Sequence, residues 1–177
     1  MHKQKKLVDV YTIIKPEIEK LKKTGNVTAS LDSRILLSYV MGLSKLLYTH
    51  ENINILEHQI IHFKKLTADR YKGKPISKII AKKNFWKKEF KINEETLDPR
   101  PDSETIIESI LKHYPDKSKS LKTLDLGSGS GCLGLSLLDE YKNSTASFLD
   151  ISKKSIEVAK ANASKFGLYK RSKFINW

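Results

Sequence analysis

Among 177 residues there is one cysteine, Cys132. That count excludes a disulfide framework and a zinc site built from cysteines, and it fits a reducing compartment. Long apolar runs are missing too. The N-terminal MHKQKK is basic, as at the start of a signal peptide, but Asp9 and Lys15 interrupt the LVDVYTIIKPEIEK that follows. This segment lacks the apolar core of a secretory signal, and no stretch is long enough to span a bilayer. The expectation is a cytoplasmic protein with no membrane contact. Acidic residues are in deficit: 20 Asp and Glu face 33 Lys and Arg, a net charge of +13. Nucleic acid or an acidic partner would suit such a surface. The lysines are dispersed, however, and aromatic residues do not interleave with them as a stacking platform requires. A solvated lysine-rich surface is the favoured reading, with nucleic acid the less favoured one.

Glycine is sparse as well, eight residues in all, yet four fall between 127 and 134. They sit in LKTLDLGSGSGCLGLSLL, Leu121 to Leu138, which reads as strand, tight turn, helix. Glycine has no Cβ, so a bulky ligand can lie against the main chain, and a helix start offers N–H groups to it. Two nucleotide readings compete. Gly129, Gly131 and Gly134 fit the G-x-G-x-x-G dinucleotide fingerprint, which is weak alone. In that register the strand should run into Gly129, yet Gly127 interrupts it. Reading from Asp125 gives D-x-G-x-G-x-G. An acid at the strand's carboxyl end suits a ligand with an ammonium and a ribose, S-adenosylmethionine, better than a pyrophosphate. A phosphate loop is excluded because no Gly-Lys-Ser/Thr follows. A Gly/Ser linker is disfavoured because both flanks are apolar and periodic.

Upstream, the periodicity predicts helices. One spans about Gln4 to Lys23, with Leu7, Tyr11, Ile14, Ile18 and Leu21 on one face and a kink or break at Pro16. A second covers Ser30 to Met41, with Ile35, Leu36, Tyr39 and Val40 buried. A helical turn at Lys45 to Thr49 and a helix from Leu56 to Tyr71 complete a small bundle. His58 and His62 have the spacing of a metal pair, but no third ligand accompanies them, so no metal site is expected. Pro75 to Ile80 is a connector. Phe85 to Ile92, FWKKEFKI, fits a strand or hairpin, with Phe85 and Trp86 packing between two domains. In LDPRPDSE the two prolines force extended backbone and hold Arg100 stiffly. Asp102 or Ser103 then caps a helix from Glu104 to His113.

Downstream, Thr145 to Ile151 reads as a second strand ending at Asp150, 25 positions after Asp125 and so one strand–helix–strand unit on. An acid there accepts both ribose hydroxyls of an adenosine ligand. Ser152 caps a helix from Lys153 to Phe166, and Ser172 to Trp177 begins a third strand. Trp177 either stacks on a purine or buries apolar area. Alternating strands and helices predict a parallel, doubly wound sheet.

Together these segments resemble one family. LDPRPDSE is similar to its I-P-R-P-E-T-E signature, and LDLGSGSGCLGLSLL to its L-D-L-G-T-G-S-G motif. FLDISKKSIEVAKANASKFGL resembles its v-D-i-S-x-x-A-l-x-x-A-x-x-N-A segment, and LDSRILLSYVMGLSKLLY its N-terminal helical domain. The family is the release-factor glutamine methyltransferases of the HemK/PrmC type. The resemblance implies a Rossmann-like class I S-adenosylmethionine-dependent methyltransferase fold, with an incomplete sheet here, behind a small helical bundle. It divides the chain into 1–73, a helical release-factor docking domain; 74–98, a connector with a hairpin; and 99–177, the first part of the methyltransferase domain. It implies methyl transfer to the side-chain amide of the Gly-Gly-Gln glutamine in class 1 peptide chain release factors. Gly127, Ser128, Gly129, Ser130 and Gly131 would hold the methionine part and adenosine, Asp150 the ribose, and Trp177 would lie beside the adenine. Alternatives are a ribosomal-protein glutamine or a nucleic-acid amine as acceptor, or an inactive remnant that only binds.

Departures from the family pattern qualify this. Asp98 replaces an apolar residue, Asp102-Ser103 replace Glu-Thr, and Ala81 and Lys87 stand where glycines are usual, so an altered hairpin turn is expected. The family's N-P-P-Y motif, which grips the acceptor amide, does not occur in the 177 residues. The expectation is therefore a truncated or split portion, inactive alone, with no catalytic residue assigned and a separate chain as candidate supplier of the C-terminal half. Its first sheet strand would carry an uncovered apolar edge, an aggregation hazard.

Overall fold

A computed structural model describes residues 6–177. The chain divides into two compact units between Ile80 and Ala81. The first contains strand β1 (Lys6–Asp9), helix α1 (Val10–Lys23), helix α2 (Ala29–Val40), strand β2 (Asn52–Ile55), helix α3 (Glu57–Tyr71) and helix α4 (Ile76–Ile80). Asp9 starts α1 by accepting the Thr12 N–H at 3.1 Å, which satisfies one otherwise free N-terminal donor. The helix then runs unbroken through Pro16. Val10, Ile14, Ile18 and Leu21 recur at helical spacing and meet Leu36, Leu37 and Phe63 in this unit's core.

Several expectations for this unit need correction. Of the helix expected from Gln4, Gln4 and Lys5 lie outside the described residues, and Lys6–Asp9 is a strand that pairs antiparallel with Asn52–Ile55. Leu7 and Tyr11 are exposed, and Leu7 lies in a strand rather than on the helix face. The Asn52–Ile55 strand alternates, exposed then buried twice over. Lys45 to Thr49 forms no helix. On α2, Leu36 and Leu37 are buried while Tyr39 is exposed, so the inward face is rotated from the one expected.

The second unit begins with hairpin β3 (Lys82–Phe85) and β4 (Lys88–Lys91), followed by a 3-10 turn (Pro101–Ser103) and helix α5 (Glu104–His113). Then come β5 (Lys122–Leu126), α6 (Cys132–Glu140), β6 (Thr145–Asp150), α7 (Lys153–Lys165) and β7 (Ser172–Asn176). The sheet is parallel in the order β5-β6-β7. Parallel neighbours need a crossover, and α6 and α7 supply it. Leu135, Leu138, Ala163 and Leu168 bury against Phe148 on one sheet face. The sheet's other face is open at β5, where Leu124 is 61% and Leu126 67% exposed. This is the uncovered apolar border expected of the first strand.

Phe85 is buried in the second unit's own core with Phe90, Ile107 and Leu135. Left-handed backbone occurs at Ala81 (φ 56°) and Trp86 (φ 54°). Ala81 thus occupies a glycine-like conformation, as its place in the pattern implies. At the turn the strained residue is Trp86 and not Lys87. Neither Asp102 nor Ser103 caps α5 through its side chain; the preceding 3-10 turn takes that place. Ser152 does cap α7, accepting the Ser155 N–H at 3.2 Å.

Candidate functional site

β5 ends at Leu126, and the chain turns through Gly127, Ser128, Gly129, Ser130 and Gly131 into α6. Three loop glycines have positive φ: 68° at Gly127, 54° at Gly129 and 77° at Gly131. Their surroundings differ. A Cβ at Gly127 would meet nothing within 4 Å, and one at Gly129 only the Leu97 nitrogen at 3.9 Å. These two positions are open cradles. A Cβ at Gly131 would press on Leu135 and Ala159, and one at Gly134 would stand 2.5 Å from Phe148 and 3.0 Å from Asp125. Gly134 therefore serves helix-on-strand packing.

Five N–H groups of the loop and helix start are engaged internally. Gly127 and Ser128 both donate to the Leu149 carbonyl, and Gly131 donates to Ser128. Gly129 donates to Asp150 at 2.8 Å, and Gly134 to Asp125 at 3.1 Å. Of the first N–H groups of α6, that of Gly134 is taken by Asp125, while those of Cys132 and Leu133 meet no backbone carbonyl or carboxylate among the described residues. Two carboxylates beside these donors disfavour a pyrophosphate.

Asp125 and Asp150 sit at the carboxyl ends of adjacent strands. Burial pushes the Asp125 carboxyl above its ordinary value, the Gly134 N–H opposes that, and repulsion from Asp150 adds to it. Asp150 is buried; its Oδ2 accepts from Gly129 and its Oδ1 from Ser152 at 2.9 Å. A carboxylate offers about four lone-pair sites, so two bonds leave capacity for hydroxyl donors. Next to Asp150, Ile151 is 87% exposed, and after β7 Trp177 is 86% exposed. The Trp177 N–H donates to the Asp150 carbonyl at 3.2 Å, placing both apolar side chains at the same sheet end. Trp177 therefore does not bury its area. Ile151 was missed in the sequence, although its place after the strand-end acid was the available signal.

Ser128 has a buried hydroxyl without a partner. Cys132, first in α6, is half-buried, and its thiol is held up at about 11, chiefly by desolvation. Arg100 is exposed. No group of three or more His, Cys, Asp or Glu that could hold a metal occurs among the described residues, and no helix among them is long and apolar enough to cross a membrane.

A parallel three-strand sheet, a glycine loop after the first strand and acids ending the first two define a Rossmann-like domain of the class I methyltransferase type. Comparison agrees. The model "Methyltransferase small domain" matches residues 101–175, and "PrmC N-terminal domain" matches 17–80. A release factor glutamine methyltransferase of Leptospira interrogans is 34% identical, over 87% of this chain and 54% of that protein. One from Caulobacter vibrioides is 30% identical, over 96% and 58%. A bifunctional methyltransferase of Rickettsia conorii is 33% identical, over 93% and 36%. The chain thus carries a PrmC-type N-terminal domain followed by a small methyltransferase domain, and it is similar to release factor glutamine methyltransferases. It spans about half the length of the first two of these relatives.

Proposed function

We propose that this chain supplies the methyl-donor half of an enzyme that methylates the side-chain amide of the Gly-Gly-Gln glutamine in class 1 release factors. The supporting observation is the pair of carboxylates, Asp125 and Asp150, that stand beside the glycine loop and take the Gly134 and Gly129 N–H groups. That environment repels a pyrophosphate and attracts the cationic sulfonium and ammonium of S-adenosylmethionine. The open spaces at Gly127 and Gly129 and the orphaned Ser128 hydroxyl fit a group lying against the main chain. When bound, that cofactor supplies an electrophilic methyl group.

Each residue has a task in this reading. Gly127, Ser128, Gly129, Ser130 and Gly131 hold the methionine and adenosine parts, with Asp125 facing the ammonium. Asp150 accepts the ribose hydroxyls and, through Gly129, keeps the loop in register with β6. Ile151 and Trp177 flank the adenine and exclude water from its faces. The first unit, whose boundary falls near residue 73 to 80, docks the release factor in the cytoplasm. No side chain here is assigned to the acceptor amide, whose delocalised lone pair makes it a poor nucleophile that must be oriented. The 177-residue chain alone therefore binds donor without methylating release factor.

The test is mass spectrometry of release factor incubated with donor and either this chain or a protein extended to the relatives' length. Methylated glutamine with the longer protein only is the expected result. Methylation by the 177-residue chain refutes the division of labour, and methylation of RNA or a ribosomal protein instead refutes the acceptor.

A further inference from the structure

Asn162 on α7 is fully buried, at 0% exposure. Asparagine is a mediocre helix former, and a buried amide is costly unless paired. This one is fully paired, and with backbone only. Its Oδ1 accepts the Lys91 N–H at 2.8 Å, and its Nδ2 donates to the Lys91 carbonyl at 2.9 Å. Both bonds fall on the last residue of β4, so the amide pairs with the hairpin as a neighbouring strand would. The same Nδ2 donates to the Ser130 carbonyl at 2.9 Å. One side chain thus joins two backbone segments, 71 and 32 positions away in the chain.

The third bond falls on a sensitive point. Ser130 lies between Gly129 and Gly131, both in left-handed backbone. Glycine resists rotation less than any other residue, so peptides on either side of it need outside support to keep one orientation. Fixing the Ser130 carbonyl fixes the peptide that also carries the Gly131 N–H, which closes the loop onto Ser128 at 2.7 Å. The geometry points to Asn162 as a positioning residue that clamps the β3–β4 hairpin to the glycine loop and sets the loop's shape for its ligand. The inference rests on the donor-binding reading for what the loop binds, but not for the clamp itself.

Two substitutions separate this role from simple core packing. Asn162→Leu removes all three bonds. Asn162→Asp keeps the acceptor for Lys91 but sets a carboxylate against two carbonyls. Leu168→Ala, in the second unit's core and hydrogen-bonded to neither segment, controls for lost stability. In the free 177-residue chain, the Gly129 and Gly131 amide resonances are expected to move in both Asn162 variants and to stay in the control. Calorimetry with S-adenosylmethionine should show at least a tenfold loss of affinity in both, none in the control, and partial recovery for Asn162→Asp as pH falls and the neutral acid regains a donor. Unmoved loop resonances, or an equal loss in the control, overturn the proposal. If wild type binds no S-adenosylmethionine, the donor reading fails, while the resonances still decide the clamp. If both variants are unfolded, hydrogen exchange on wild type decides. Matched protection of the Lys91 and Gly131 amides supports the clamp, and much faster exchange at Lys91 contradicts it.

Discussion

Asp125 stands in a conflict between stability and binding. Burial and Asp150 raise its carboxyl above the ordinary value of 3.8. The folded state therefore binds a proton more readily than the unfolded state. The charged form costs stability, and the cost grows as pH rises through the folded value. Asn at this position keeps an acceptor for the Gly134 N–H and removes the charge. Asp125→Asn should melt at pH 7 no lower than wild type and lose about tenfold or more in affinity for S-adenosylmethionine, the worth of one charge-assisted hydrogen bond. Thermal melts and calorimetry on the same samples check this; a variant that melts lower and binds normally would show Asp125 to be structural. Legibility at this scale was uneven. Asp125 and Asp150 announce themselves by spacing because an acid is unusual in an apolar strand. Asn162 does not, because nothing local in KANASK says which backbone its amide will meet 71 positions away. The bonds made by the Gly127, Ser128 and Gly129 N–H groups are hidden for the same reason, since Leu149 and Asp150 reach them from β6.

Among the elements, the hairpin depends on Glu140 at the end of α6. Its Oε1 accepts from the Trp86 indole at 2.9 Å and from Lys87 at 2.5 Å, and its Oε2 from Lys117 at 2.6 Å. Burial opposes the charge, but the Lys117, Lys87 and Trp86 bonds outweigh it and hold the carboxyl down at about 2. A lowered acid stabilises the fold above its unfolded value near 4.5, and that contribution is lost as pH falls from there toward 2. Glu140→Gln should cost about 1–3 kcal/mol at pH 7, reduced by the exposure of both lysines, and should flatten the acid limb of stability between pH 5 and 2. Denaturant melts across that range check it, and an unchanged acid limb would remove Glu140 from the account. The turn and second strand of the hairpin were readable from FWKKEFKI, because aromatic and alternating residues favour strands, while the first strand, Lys82–Phe85, starts upstream of that reading. The β1–β2 pair was not. Leu7, Val8 and Val10 satisfy helical and strand periods alike over so short a run, and pairing with residues 52–55 decides between them.

For the whole molecule, the open sheet face is the main liability. Leu124 and Leu126 project from an edge strand, a template for pairing with another chain. Replacing both with serine should reduce concentration-dependent association in sedimentation or light scattering while leaving the melting temperature within about 2 °C, since side chains already in water lose little on becoming polar. A large drop in melting temperature would mean that these leucines are covered in solution. The parallel order of the second unit was legible because strand, loop and helix repeat with caps and glycine stops between them.

The central claim is that two acids beside a glycine loop select a sulfonium nucleoside over a dinucleotide. Calorimetry of the 177-residue chain against S-adenosylmethionine and NAD, repeated with Asp150→Ala, tests it directly. The account predicts binding of S-adenosylmethionine, loss of that binding in the variant and no heat with NAD. Binding of NAD, or S-adenosylmethionine binding that survives the loss of Asp150, would contradict it.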